Sequence, residues 1–397
     1  MGLRVNKNYM LFILSIWIVL TPPYAMQVVE SIRILDLFLS GTIFGIIIII
    51  VVKSKEVPKL LLIFCCIPNL ILLISTAINK GNIYMATFQF LRVFLYSLLV
   101  ETVISRTKYA EYFIRAIRNI TWLLFVANIV VIILIPDGFE QINGVNYYLY
   151  GNPNVMIRYI VPGLCCSSIL DIQKNKLFSF WTLSFFLGLF FTFFATYFSV
   201  TAFIGTSFVF AWILMGKIVR TKIRRVRFIY LSVLVAIFLF EIVVVVSARG
   251  DHFISILTEF FNKNDLSGLR SRSILWAREL NLIFEKPVFG WGMLDSDSLK
   301  KFIGNSSGAH NYYLDLLFQR GILGAISFLC IIIYSIIRIF RIKSISGAGY
   351  ILMGYSCMCF IMFLTEPFTL AEPLIMPLIY IFISIGLKKY SYKTLDI

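Results

Sequence analysis

Residues 177–216 form the sequence LFSFWTLSFFLGLFFTFFATYFSVTAFIGTSFVFAWILMG, which contains no Asp, Glu, Lys or Arg. About 20 apolar residues in a helix cross the hydrocarbon core of a bilayer, so this stretch predicts two membrane spans, near 177–196 and 198–216. Lys176 and Lys217 flank the stretch and mark its two ends. The stretch therefore predicts a polytopic helical membrane protein.

The composition of the whole chain supports this fold class. Of its 397 residues, 59% are hydrophobic and 14% are charged, with a mean hydropathy of +0.89. Soluble proteins are typically ~45–50% apolar and ~25% charged, so a soluble protein, a disordered chain and a coiled coil are excluded. All seven cysteines lie in apolar runs without metal-ligand spacing, and we predict no disulfide framework.

Further apolar runs complete an all-α polytopic protein of about twelve transmembrane helices. The predicted spans are 9–26, 34–52, 59–78, 84–104, 119–136, 155–172, 177–196, 198–216, 228–248, 313–339, 348–366 and 373–387. We expect a single membrane domain over 1–397, with residues 249–312 forming one large extracytoplasmic loop subdomain before the tenth helix. Within this loop, Arg272–Phe284 has apolar residues at helical spacing with Arg and Glu on the other side, which predicts an interfacial helix.

The formal net charge of +16 predicts the orientation of the chain in the membrane. If both termini are cytoplasmic, the cytoplasmic segments contain 23 of the 36 Lys and Arg residues, whereas the short loops on the other side contain only Arg33 and Lys80. This positive-inside asymmetry favours cytoplasmic N- and C-termini. The basic residues are therefore explained by topology, and nucleic acid is not expected as a partner.

Two arginines within or near predicted spans are candidate site residues. An intramembrane Arg costs at least ~2.5 kcal/mol on insertion scales, so Arg92 either serves a site or pairs with a polar group on a neighbouring helix. Arg158 follows a predicted helix start at Pro153, which Asn152 or Asn154 can cap. Backbone N–H groups and a guanidinium at this point suit a phosphate, and the alternative is a snorkelling Arg beside a capped helix.

His310 is one of only two histidines and is a candidate general base. It begins the pattern H-N-x9-G-x-x-G, in which Asn311 follows it and Gly321 and Gly324 lie in the next helix. Small residues permit close helix packing in membranes, and we expect that role for the two glycines. The other histidine, His252, follows a predicted span and has no assigned role.

Two acidic residues bracket the last predicted loop on the same side of the membrane as the long loop. Glu366 and Glu372 are candidates for binding sugar hydroxyls. Charged residues in loops are mostly solvent-exposed, and we expect both to be ordinary solvated charges.

Three features together resemble the O-antigen polymerase and ligase (Wzy/WaaL) superfamily of bacterial membrane glycosyltransferases: a histidine motif, an arginine–tryptophan–glycine run and the twelve-span layout with one dominant loop. The motif residues are His310-Asn311 with Gly321 and Gly324, Ser271-Arg272 with Trp276, and PVFGWG at 287–292. These features cover about a third of the chain closely, and the histidine motif points to a polymerase-like member.

The chain departs from the superfamily pattern at two places. Many members have S-G-R where this chain has Leu-Arg-Ser-Arg, so either Arg270 or Arg272 is the motif arginine, and the spacing to Trp276 favours Arg272. Members often have a Ser-Arg pair in the eighth span, whereas Val200 follows Ser199 here. A contribution from that helix is therefore in doubt.

The resemblance implies a GT-C-like membrane enzyme that transfers glycan from undecaprenyl pyrophosphate at the extracytoplasmic face of the bacterial plasma membrane. It implies no cofactor and metal-independent transfer, with no metal-binding residues. Arginines match phosphate oxygens in bidentate fashion, which suits a pyrophosphate leaving group. The implied catalytic residues are Arg158 and Arg272 for the pyrophosphate and His310 as general base or acceptor-orienting group. The implied substrate-binding residues are Arg92, Arg270, Asn152, Asn154 and Asn311, of which Asn311 is also a candidate for orienting His310.

Three functions remain open at this point. HNYYLDLLFQRGILG at 310–324 resembles polymerases of O-antigen, capsule or exopolysaccharide repeat units, whose acceptor is another lipid-linked unit. An O-antigen ligase would use lipid A-core as acceptor instead. A flippase or transporter of lipid-linked glycan belongs to another class, although such proteins usually show internal pseudo-repeats. The expected partners are lipid-linked donor and acceptor, membrane lipids and, in the cell, a chain-length regulator and a flippase.

Overall fold

The structure, a computed structural model, describes residues 60–104, 107–142, 145–196, 199–218, 223–246, 267–305, 308–341 and 347–366, together with eleven scattered positions between 24 and 49. The predicted spans 9–26 and 34–52 lie mostly outside these residues, and 373–387 lies wholly outside them. His252 and Glu372 are outside them as well.

In the described part of the chain, eleven α-helices dominate the architecture. Their bounds are α1 Leu60–Ile78, α2 Ile83–Ile104, α3 Thr107–Leu134, α4 Pro153–Gln173, α5 Phe180–Ala195, α6 Val200–Ile218, α7 Ile223–Phe240, α8 Ser267–Glu285, α9 Ser296–Phe302, α10 Tyr312–Arg341 and α11 Gly347–Phe363. A π-helical turn, Glu241–Val246, continues α7. Strands β1 (Glu140–Ile142) and β2 (Val145–Tyr147) pair antiparallel between α3 and α4. The all-α prediction holds apart from this hairpin.

The nine predicted spans that fall on described residues all coincide with helices. Four helical stretches there are long and apolar enough to cross a membrane, namely Glu111–Leu134, Pro153–Gln173, Arg224–Val243 and Tyr312–Arg341. Helices such as α5, α6 and α11 are apolar but shorter. The protein is therefore a multi-pass membrane protein. The total of twelve spans remains a prediction because it includes segments outside the described residues.

Hydrogen bonds at both ends of α6 and α11 show that these two helices run antiparallel and mark two opposite ends of the bundle. At one end, the indole of Trp212 in α6 donates to the backbone oxygen of Tyr350 in α11 at 2.9 Å. At the other end, the hydroxyls of Thr201 and Thr365 lie 2.8 Å apart. We call this second end, where α4 and α10 begin and α11 ends, the site end. Between the ends, buried aromatic and aliphatic residues of α3–α7, α10 and α11 form one continuous core.

The long loop contributes α8, which packs against the first turns of α10, and α9, whose Leu299 packs against the apolar cluster between them. Trp276 and Ile283 of α8 lie in a buried apolar cluster with Leu314 and Phe318 of α10. The indole of Trp276 also donates to the backbone oxygen of Ala309 at 3.0 Å. The helix predicted over Arg272–Phe284 is thus present within α8. The separation of 249–312 as a subdomain stays a prediction.

The loop over residues 287–293 docks into a break in α10, and we call this contact the glycine junction. Gly321 interrupts α10 with φ 61° and ψ −165°. Beyond the break, the Ile322 N–H donates to the oxygen of Pro287 at 2.7 Å, and the Trp291 N–H donates to the oxygen of Phe318 at 2.7 Å. A Cβ on Gly321 would lie 2.2 Å from a backbone oxygen of the loop. The prediction that Gly321 serves close helix packing is therefore wrong, since it serves loop docking.

The same loop also binds the end of α1. The side-chain amide of Asn79 donates to the oxygen of Gly290 at 2.9 Å, and the Ser75 hydroxyl donates to the same oxygen at 3.3 Å. The Met293 N–H donates to the hydroxyl of Thr76 at 2.9 Å. The PVFGWG motif thus contacts both α1 and α10. Close packing against these two helices explains why the motif contains glycines.

Candidate active site

Two arginines from separate elements converge on one buried glutamate at the site end. Nη2 of Arg158, in the second turn of α4, lies 3.4 Å from Oε2 of Glu366, which follows α11. Nη2 of Arg272, near the start of α8, lies 3.3 Å from Oε1 of the same carboxylate. Glu366 is 2% exposed, whereas the Arg272 side chain retains 21% exposure. The expectation that Glu366 is a solvated loop charge is therefore wrong.

Local signals at the start of α4 place Arg158. The side chain of Asn152 accepts the Val155 N–H at 3.0 Å and caps the helix, with Pro153 in the first turn. Proline suits this position because its missing N–H would have no partner in the first turn. The hydroxyl of Ser199, just before α6, donates to Asn154. Both predicted asparagines therefore hold helix ends in place next to Arg158, and their contact with substrate remains a prediction.

His310 lies two residues before the start of α10 in a left-handed backbone conformation, with φ 56°. Its Nε2 lies 2.8 Å from the side-chain nitrogen of Asn305. Its Nδ1 is buried and has no hydrogen-bond partner among the described residues. A non-glycine residue at positive φ is uncommon and often marks a functional position.

The environment of His310 keeps its imidazole neutral. Burial, reinforced by the positive charges of Arg272 and Arg158, lowers the pKa of His310 from its ordinary 6.5 to about 4. Because both arginines affect this pKa, they belong to the same electrostatic environment as His310. At neutral pH the imidazole is therefore unprotonated and can accept a hydrogen bond, but a pKa of about 4 makes it a weaker proton acceptor than an ordinary histidine.

Asn311 is fully engaged in holding α10. Its Oδ1 accepts the N–H groups of Tyr313 and Leu314, which caps the helix, and its Nδ2 donates to Glu241 at 2.8 Å and to the oxygen of Leu364 at 3.2 Å. In the structure, Asn305 rather than Asn311 contacts the His310 ring. The expectation that Asn311 orients His310 is therefore corrected, while any contact of Asn311 with substrate stays a prediction.

Two buried acidic residues, Glu279 and Asp315, are neighbours where α8 packs against α10. Glu279 of α8 is 0% exposed and Asp315 of α10 is 8% exposed. Burial, together with the neighbouring Asp315, raises the pKa of Glu279 well above its ordinary value. The sequence pattern put Glu279 on the polar side of α8, which is wrong. A protonated carboxyl at this position can donate a hydrogen bond to its neighbour and so avoid an uncompensated buried charge.

The structure brings Arg158 and Arg272 together on Glu366, and His310 lies within the electrostatic influence of both arginines. Arg92 lies within α2 and Arg270 within α8, but their side chains are outside what the structure describes. Sequence reasoning missed Asn305 and the role of Glu366. The available signal for Glu366 was an acidic residue at the end of the apolar run FIMFLTE, 360–366.

These groups provide two functions in one place. Two guanidinium groups, offset by a single carboxylate, leave a net positive site for an anion, and a neutral imidazole lies in their field. Arginine pairs are suited to phosphate oxygens, and a neutral imidazole can accept a hydrogen bond from a substrate hydroxyl. Across the described residues, no group of three or more His, Cys, Asp or Glu is placed to hold a metal ion.

Comparison with known proteins identifies one family. Residues 166–329 match the Wzy_C family, described as O-antigen ligase. No curated protein and no solved structure matches the chain. The matched region includes Arg272, His310 and the glycine junction, whereas Arg158 and Glu366 lie outside it.

Proposed function

We propose that this protein is a polymerase of undecaprenyl-pyrophosphate-linked oligosaccharide repeat units. The match of residues 166–329 to the O-antigen ligase family supports the coarser part of this proposal, transfer of a lipid-linked glycan by a ligase- or polymerase-type enzyme. In the proposed reaction, the anomeric carbon of one unit leaves its lipid pyrophosphate. A sugar hydroxyl of a second lipid-linked unit forms the new glycosidic bond. The polymer is O-antigen, capsule or exopolysaccharide.

The observation that carries the proposal is the convergence of Arg158, Arg272 and His310 on one buried site. As the bond between the anomeric carbon and the pyrophosphate oxygen breaks, negative charge develops on the pyrophosphate, which the two guanidinium groups would stabilise. The neutral imidazole of His310 either takes the proton of the attacking hydroxyl or orients that hydroxyl. Arg92, Arg270, Asn152, Asn154 and Asn311 are proposed to contribute substrate contacts, and no metal ion or cofactor is proposed.

The helix ends support an extracytoplasmic site. Lys174 and Lys176 follow α4, Arg224 and Arg225 begin α7, and Arg341 ends α10, and all five lie at the end of the bundle opposite the site. The positive-inside rule assigns such a basic end to the cytoplasm. We therefore place the site at the outer face of the bacterial plasma membrane and both termini in the cytoplasm. Lipid-linked units would reach it there after a flippase has moved them across.

The family description favours one alternative, an O-antigen ligase that transfers finished glycan to lipid A-core. The two functions share the donor and the pyrophosphate chemistry and differ only in the acceptor. The stretch 310–324 resembles polymerases, and this is why we prefer the polymerase.

Reconstitution tests both functions. Purified protein in nanodiscs is incubated with a defined undecaprenyl-pyrophosphate repeat unit, with and without chelator, and separately with added lipid A-core. A ladder of lipid-linked products in both chelator arms supports the polymerase, and a single transfer to lipid A-core supports the ligase. Absence of any transfer with both acceptors would contradict the proposal.

Paired histidine variants test the site. His310→Ala is expected to abolish transfer, whereas His252→Ala, the matched change at the only other histidine, should leave it intact. Full activity of His310→Ala would remove His310 from the mechanism without removing the glycosyltransferase activity itself.

A further inference from the structure

We propose that Glu366 is a displaceable counter-ion that holds the two pyrophosphate-binding arginines while the site is empty and drives release of the undecaprenyl pyrophosphate product. The inference rests on the proposed function, since it assumes that Arg158 and Arg272 bind the pyrophosphate. It assigns to Glu366 a role in turnover instead of a role in the chemical step.

The two ion pairs of Glu366 are longer than the usual charge-assisted hydrogen bond. Each carboxylate oxygen of Glu366 contacts one guanidinium, at 3.3 Å to Arg272 and 3.4 Å to Arg158. Charge-assisted N–H···O bonds are usually ~2.7–2.9 Å, and the strongest arginine–carboxylate pairs are bidentate. Glu366 therefore spans two arginines without an optimal bond to either one. A pyrophosphate offers more oxygens and more charge to the same two groups.

Burial makes this competition energetically important. Glu366 is 2% exposed and its charge is compensated by the two arginines. Leaving the two partly buried arginines without an anion would be costly, because a largely desolvated charge without a counter-charge loses solvation without compensation. When the product departs, the returning carboxylate offsets that cost. Without it, the arginines would retain the pyrophosphate.

The backbone that carries Glu366 is held independently of its carboxylate. The N–H of Glu366 donates to the oxygen of Met362 at 3.0 Å, and the Thr365 and Thr201 hydroxyls lie 2.8 Å apart. The oxygen of Leu364 accepts from Asn311 at 3.2 Å. A rotation of the Glu366 side chain can therefore free both arginines while the segment stays in place.

The inference predicts that removing the Glu366 charge strengthens product binding and slows turnover. Glu366→Gln should bind undecaprenyl pyrophosphate roughly tenfold more tightly than the wild type, which corresponds to ~1.4 kcal/mol. Rapid-mixing assays should show a first transfer followed by a slower steady state limited by product release. Binding is measured in nanodiscs with undecaprenyl pyrophosphate as the probe, and a merely structural role for Glu366 would weaken binding instead.

Three further variants make the result specific. Glu285→Gln makes the same charge change at an exposed residue at the end of α8 and should not alter the affinity. In the Arg272→Gln background, the gain from Glu366→Gln should be reduced, because one of the two competing pairs is already gone. Glu366→Asp keeps the charge but shortens the reach, and it should give an intermediate affinity even if Glu366→Gln folds poorly.

The outcomes separate this inference from the proposed function. If the wild type does not bind undecaprenyl pyrophosphate at all, the proposed donor chemistry fails. If the wild type binds it and both folded Glu366 variants bind equally well or more weakly, the counter-ion role is overturned while the proposed function stands.

Discussion

The glycine junction and the charged site share α10 and the chain that leads into it, yet they satisfy their polar groups in opposite ways. At the junction, the N–H groups of Trp291, Gly292 and Ile322 find backbone oxygens at 2.7–3.0 Å, and the Leu323 N–H has a longer bond of 3.4 Å. At the site, the ion pairs are 3.3 and 3.4 Å long, and Nδ1 of His310 has no partner among the described residues. Sequence motifs alone do not separate the two regions.

The difference indicates that the junction supports the fold and the site retains binding capacity for a ligand. Buried polar groups are nearly always hydrogen-bonded in proteins, so poorly satisfied groups in a well-packed protein indicate a functional position. We therefore predict that substitutions at the site reduce activity more than stability. Substitutions at the junction should reduce stability more than activity per folded molecule.

The largest expected effect is on activity at the site. Arg272→Gln removes one of two cations proposed to stabilise the leaving pyrophosphate, and loss of one such electrostatic contact typically costs about 10²–10³-fold in rate. Transfer is measured in nanodiscs with a lipid-linked repeat unit, and thermal unfolding is recorded in parallel. Arg278→Gln is the matched control, since Arg278 lies on the same helix and donates only to the backbone oxygen of Ile303 in the described contacts. Equal activity losses in the two variants would remove the distinction between site and surface arginine.

The next effect is on stability at the junction. Gly321→Ala forces a side chain into a positive-φ position and within 2.2 Å of a loop oxygen, and strain of this kind costs ~1–3 kcal/mol before the clash is counted. We expect a marked fall in the unfolding temperature and in the yield of folded protein. Gly45→Ala serves as the comparison, because a Cβ there meets nothing within 4 Å among the described residues. If Gly321→Ala were as stable as Gly45→Ala, the break in α10 would not be a structural requirement.

Hydropathy was sufficient to predict the long, mostly apolar helices α4 and α10. The span 155–172 is α4 and the span 313–339 is α10, each within about two residues. By contrast, α3 begins at Thr107, twelve residues before the predicted start, because its first turns contain Lys108, Arg115 and Arg118. Such residues are tolerated at a helix end outside the hydrocarbon, where hydropathy gives no signal.

The site was only partly predictable because its contacts join distant parts of the chain. Arg158 and His310 were identified from local features, a capped helix start and a rare residue type. The contact between Arg158 and Glu366 spans 208 positions, and no local pattern encodes it. Helical periodicity put Glu279 on the polar side of α8, but Asp315 provides a buried neighbour for it on another helix. Contacts between distant parts of the chain therefore determine the environments of Glu366 and Glu279, which sequence patterns did not predict.

A smaller stability effect tests the α1 side of the junction. Asn79→Ala removes the hydrogen bond from the side-chain amide to the backbone oxygen of Gly290. It also removes the side-chain oxygen that accepts from Lys286 at 2.6 Å. Leaving a partly buried carbonyl with one partner fewer costs ~1–3 kcal/mol, so we expect a moderate fall in unfolding temperature with transfer activity per folded molecule unchanged. Asn82→Ala, which removes an exposed bond to the Met85 N–H, should have less effect. A loss of activity that exceeds the loss of folded protein would place this part of the junction in the site.

The smallest expected effect concerns the protonation of His310. Its pKa can be measured by titration and tests whether the site differs from the junction electrostatically. Since the chain has only two histidines, ¹⁵N-histidine labelling of a His252→Gln variant leaves a single imidazole to observe. Its pKa is lowered to about 4 by burial and by Arg272 and Arg158, so the ring should stay neutral as the pH falls from 7 to 5. Accordingly, kcat/KM should hold over that range and fall only nearer pH 4. Arg272→Gln removes one of the two positive charges and should raise this pKa, whereas Arg278→Gln should not. A titration midpoint near 6.5 in the wild type, unmoved by Arg272→Gln, would show that His310 lies outside the field of the two arginines.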